Sequence, residues 1–234
     1  MIHLPLNAVA WSLGALAVYT FSVRSWRTYH LTQNPLARIY TVFGLTFGTA
    51  LLFFGLPGLL SQNIHLLRYT YFLADLFVQI SLQVALWLLW FLGLRAYLRL
   101  DYLYLVTVPF SAVLMTLQAL TSQVQISRSP YLIIYTDRPV VLILKSVIYV
   151  VVAVPLGYFL LKQVPRQSSF KSKLKSFMAG MGFFIICAAA TSNNIFDKGS
   201  DTQGSSAILC AFFVVLFLAQ LLRPVSKPPR RRQR

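Results

Sequence analysis

The run from Arg68 to Arg99 constrains the chain most. It reads RYTYFLADLFVQISLQVALWLLWFLGLRAYLR, with about 26 predominantly apolar residues between Arg68 and Arg95, enough to cross a hydrocarbon core of roughly 30 Å as one helix. Within it, Asp75, Gln79 and Gln83 are spaced i, i+4, i+8, so on a helix they share a face about 80° wide. Facing lipid, those groups would have no hydrogen-bond partners. The face must therefore point into protein, and the chain reads as a polytopic membrane protein with a polar seam in its third helix.

Composition agrees. Hydrophobic residues make up 57% of the 234 and charged residues 11%, far from a soluble domain of this size. The formal charge of +16 sits mainly at the ends of apolar runs, where Lys and Arg fix membrane orientation, and this sets nucleic-acid binding aside. The five acidic residues are all aspartate; the paired carboxylates of a hydrolase are scarcely available, and HExxH and GxSxG are absent. The chain is not expected to be an enzyme. His3, His30 and His65 lie near different helix ends without ligand spacing, so neither a metal site nor a cofactor is expected. Cys187 and Cys210, each near one end of its apolar run, read as small packing residues at similar depth.

Seven apolar segments are expected to span: Pro5 to Val23, Ile39 to Leu60, Tyr69 to Leu94, Tyr102 to Leu120, Pro139 to Leu161, Leu174 to Ala190 and Ser205 to Leu222. They make an all-α seven-helix bundle as a single domain over 1–223, followed by a short basic tail over 224–234. The joints RSWRTYHLTQNPLAR, TSQVQISRSP, KQVPRQSSFKSKLK and TSNNIFDKGSDTQGSS read as loops, with TSNN as the C-cap of the sixth helix. No charged region precedes the first apolar run, so a removable signal peptide is not expected. With the N-terminus outside, 16 basic residues fall on the cytoplasmic side and 4 (Arg68, Arg128, Arg138, Lys198) outside, which predicts N-out, C-in in the plasma (inner) membrane. Pro57, Pro109 and Pro155 fall in or near helices, and Gly44, Gly48, Gly55 and Gly58 give the second helix one face for close packing.

Asp75 and Lys145 are the charges well inside helices, which makes them functional candidates. Each lies seven residues past an arginine, Arg68 or Arg138, hence about 10 Å deep at 1.5 Å per residue. They are expected to interact, with Arg68 the next candidate partner for Asp75. Two readings stay open: a ligand or ion pocket lined by Asp75, Gln79, Gln83, Lys145 and Tyr149, with Tyr71 and Ser146 nearby, or a structural ion pair between helices three and five. In the tail, Arg230, Arg231 and Arg232 are expected to meet anionic lipid or a cytoplasmic partner.

The Arg-rich first inner loop ending NPLAR, the acid in helix three and the seven-helix N-out pattern resemble the seven-helix sensory regions of bacterial histidine kinases and cyclases. That family continues into a signalling domain, so the resemblance implies a separate cytoplasmic signalling protein as partner beside the lipid bilayer. RYTYFLAD also resembles helix three of microbial rhodopsins, but Ser205 to Leu222 contains no lysine to hold retinal. The leading expectation is a sensor- or receptor-type membrane protein with an outward-facing polar pocket. The alternative is a small-molecule or ion transporter with Asp75 as coupling carboxylate.

Overall fold

The computed structural model describes residues 5–96, 99–128, 131–167 and 170–195. It contains α1 (Leu6–Thr32), α2 (Pro35–Leu60), α3 (Ile64–Leu92), a 3-10 turn at Leu94–Ala96, α4 (Leu100–Thr121), β1 (Gln123–Arg128), β2 (Tyr131–Thr136), α5 (Pro139–Lys162) and α6 (Phe170–Ile195). Helices α1 to α5 are long and apolar enough to cross a membrane, whereas the apolar part of α6, Ser176–Ile185, is shorter. This architecture fits a multi-pass, mainly helical membrane protein. The seventh segment, Cys210 and the tail arginines Arg230, Arg231 and Arg232 lie outside the described residues.

Local chemistry sets the helix ends. α1 runs nine residues beyond the apolar run expected to end at Val23, so the basic joint RSWRTYHLT is helical and not a loop. The turn into α2 is only Gln33 and Asn34. Gln33 is the described non-glycine residue with positive φ (52°), and Asn34 accepts from the Leu36 amide at 3.0 Å, with Pro35 opening the helix. Asn63 caps α3 in the same way, accepting from the His65 and Leu66 amides. Thr191 to Asn194 lie inside α6, so TSNN is helical backbone and not a C-cap.

Neighbours in sequence are neighbours in space: α1 packs on α2, α2 on α3, α3 on α4 and α5, and α5 on α6. Glycines make the α1–α2 seam close. A Cβ on Gly44 would meet the Ser22 side chain at 2.8 Å, and one on Gly55 would meet the Ser12 amide at 2.7 Å and the Ala8 carbonyl at 2.8 Å. The glycine face thus serves packing inside the bundle. α3 is central, with 61% of its most apolar window buried against 17% for α4. The largest apolar core joins Ile39 of α2, Val84 to Leu89 of α3 and Ile148, Val152, Leu156 and Leu160 of α5.

The joint TSQVQISRSP, expected as a loop, instead carries strand β1 of the antiparallel hairpin β1–β2. Its register pairs Gln123 with Thr136 and Ile126 with Ile133. At its base, Asn7 in the first turn of α1 behaves like a third strand: its side-chain amide donates to the Ile133 carbonyl at 2.5 Å and accepts from the Ile133 amide at 3.3 Å. Ile133 also packs on Ala8 and on the Gly58 backbone. The hairpin is therefore fixed over the end of the bundle where α1 begins and α2 ends.

Candidate functional site

Beneath the hairpin, three charged side chains meet in the buried interior. Lys145 of α5 brings its Nζ to 2.5 Å from Asp75 Oδ2 of α3 and to 2.6 Å from Asp137 Oδ2 in the β2–α5 connection. Asp75 is 2% exposed, Lys145 3% and Asp137 4%, so water screens none of them. The bond to Asp137 is a well-formed hydrogen bond, whereas the approach to Asp75 leaves Oδ2 without an aligned donor. Tyr71, one turn before Asp75, donates its hydroxyl to Asp137 Oδ2 at 2.7 Å and accepts from Lys145 Nζ at 3.2 Å.

Tyr71 also ties the cluster to its cover. Its ring stacks on Tyr135 of β2 with centroids 4.5 Å apart and planes at 11°, and Tyr135 reaches the Phe54 carbonyl of α2 with its hydroxyl at 3.5 Å. Burial pushes the Tyr135 phenol well above its ordinary pKa, so it remains a neutral ring and donor. The Lys145 ammonium thus joins α5 to α3 and to the β2–α5 connection, and Tyr71 links that group through Tyr135 to the hairpin and α2.

The juxtaposition of Asp75 and Lys145 expected from their equal depth is present in the structure. The rest of the seam goes elsewhere. Gln79 accepts from the Ser111 hydroxyl at 3.0 Å. Gln83 accepts from the Thr107 hydroxyl at 2.7 Å and donates to Ser111 at 3.1 Å. Both glutamines therefore zip α3 to α4, because helices four positions along one face meet whichever neighbour crosses there. Tyr149 lies within electrostatic reach of Lys145 and Asp75 and packs against the apolar core. Ser146 donates to the Leu142 carbonyl of its own helix. Arg68, the reserve partner for Asp75, instead donates to the Ala119 carbonyl at 3.3 Å. It lines an open groove of about 270 Å³ with His65, Tyr69, Phe72, Ala119 and Ser122, apart from the charge cluster.

Two members were missed in the sequence. Asp137 stands next to Arg138 in a stretch read as a joint and precedes the first residue of α5, so no helical spacing ties it to Lys145. Gln118 of α4 is completely buried beside Asp75, close enough to interact but with neither amide atom in a formed hydrogen bond. No isolated feature of QALTSQ marks it out.

Comparison with protein-family models gives no match, and comparison with curated proteins gives none either. Among the described residues, no group of three or more His, Cys, Asp or Glu could hold a metal ion.

Proposed function

We propose that this chain is a sensor- or receptor-type membrane protein, oriented N-out and C-in with seven spans, whose responsive element is the Asp75–Lys145–Asp137 cluster under the hairpin. One observation carries the reading: among the described residues the buried charges, Asp75, Asp137 and Lys145, are one-sided, all at the hairpin end. The seam of α3 stops at Gln83, and beyond it Leu86, Leu88 and Leu89 are buried against Ile148, Val152, Leu156 and Leu160 of α5. A transporter needs polar surface that can be opened to both faces; a sensor needs a site at one end and a packed connection to the other. Here α5 supplies both, with Lys145 in the cluster and Leu156 and Leu160 in the far core.

On this reading the basic residues gather on the inner face, where Arg230, Arg231 and Arg232 would contact anionic lipid or a separate signalling protein. The test is a flux and labelling pair in proteoliposomes. Imposed proton and alkali-cation gradients should decay no faster than in protein-free vesicles. A cysteine at Gln163, just past α5, in a background lacking Cys187 and Cys210, should change its labelling rate when Lys145→Met is introduced. Protein-dependent flux abolished by Asp75→Asn would favour the transporter instead.

A further inference from the structure

The cluster contains two carboxylates and one ammonium. Facing it are Tyr71 and Asp75 from α3, Lys145 and Tyr149 from α5, Asp137 and Tyr135 from the hairpin side, and the neutral amide of Gln118 from α4. Lys145 is the one cation within ion-pair distance of either carboxylate among the described residues. With both acids ionised, the site would hold one surplus negative charge at 2–4% exposure. A group so placed loses its charge sooner than it bears the loss of hydration.

We propose that the cluster is a binding site for a single proton, held on Asp75 and donated to Gln118 Oε1. The hydrogen bonds choose between the two acids. Asp137 Oδ2 receives two aligned donors, Lys145 at 2.6 Å and Tyr71 at 2.7 Å, as an ionised carboxylate does. Its other oxygen, Oδ1, has no hydrogen-bond partner. Asp75 differs: Lys145 is close without alignment, and the fully buried Gln118 beside it has neither a donor to its amide oxygen nor an acceptor for its amide N–H. A carboxyl O–H on Asp75 gives Gln118 that donor, and the remaining Asp137–Lys145 pair is neutral. Because the site lies under the hairpin and the far half of α3 is apolar, the proton exchanges from the hairpin side.

This rests on the sensor reading for what the proton signals, but not for whether it is bound. The experiment is infrared spectroscopy of the full chain in nanodiscs at neutral pH, reading the carbonyl stretch of protonated carboxyl groups. The chain suits it, with five acidic side chains and no glutamate. The wild type should show one such band, absent from Asp75→Asn. It should also be absent from Asp137→Asn, where Asp75 ionises to become the sole partner of Lys145. Lys145→Met should strengthen the band as Asp137 also takes up a proton.

Thermal unfolding then locates the proton. Asn is a near-isostere of a protonated Asp, so Asp75→Asn should unfold close to wild type, and Asp137→Asn clearly lower. No band in the wild type, or a band that survives Asp75→Asn, would overturn the proposal. So would Asp75→Asn destabilising as much as Asp137→Asn. None of these outcomes depends on whether the protein carries flux, so the proton site and the sensor reading fail separately.

Discussion

Lys145 answers to two acids, so the three charged residues respond unequally to substitution. Removing the ammonium leaves the ionised Asp137 without its cation, and breaking a buried ion pair from one side costs about 3–5 kcal/mol. Lys145→Met should therefore be the most destabilising single change in the cluster, measured by thermal unfolding in detergent. From the sequence alone, Asp75→Asn and Lys145→Met are each expected to lower stability, with the double substitution recovering part of the loss. With Asp137 hydrogen-bonded to Lys145 at 2.6 Å, Asp75→Asn still leaves the ammonium paired. What made Asp75 and Lys145 legible was depth: each is a charge inside an apolar run, and such charges must be met. Asp137 carried no such mark, because it precedes α5 and adjoins the exposed Arg138, and a charge next to a charge in a joint reads as solvated.

At the scale of elements, the hairpin is the part that sequence reasoning did not find. Its strands are six residues each, shorter than the windows that reveal a spanning helix, and VQIS alternates polarity over too few positions to stand out from a polar joint. Its placement depends on Asn7, more than a hundred residues away, which no local pattern reveals. Asn7→Leu should remove both bonds to Ile133 and cost about 1–3 kcal/mol, since each leaves a buried backbone group unpaired. Hydrogen exchange should show faster exchange confined first to the hairpin; unchanged protection at Ile133 would deny Asn7 its anchoring role.

Tyr135 adds a pH dependence. Its folded pKa lies above the unfolded value of about 10, so its contribution is complete below that pH and is lost as pH rises past it, when the unfolded phenol ionises first. Tyr135→Phe should accordingly lose less stability than wild type between neutral and strongly alkaline pH, read as the fall in Tm. The glycine face of α2, by contrast, was plain from its spacing. Gly55→Ala should cost about 1–3 kcal/mol, because the added methyl has only Ser12 and the Ala8 backbone to push against.

For the whole molecule, the distribution of basic residues and the position of the polar cluster make one account: a buried charged site at the hairpin end and a packed apolar core at the other. In cells, a cysteine at Gln125 of β1 should react with an impermeant thiol reagent, and one at Gln163 should not, in a background lacking Cys187 and Cys210. The reverse pattern would invert the orientation. The central claim is that Asp75, Lys145 and Asp137 act as one unit joining α3, α5 and the hairpin, and a double-mutant cycle tests it most directly. Thermal and denaturant unfolding of Lys145→Met, Asp137→Asn and the double variant should show the double to be more stable than the sum of single losses allows, by about 0.5–3 kcal/mol. The double variant leaves Asp75 neutral and no charge stranded. Losses that simply add would mean that the charges do not sense one another, and would contradict the account.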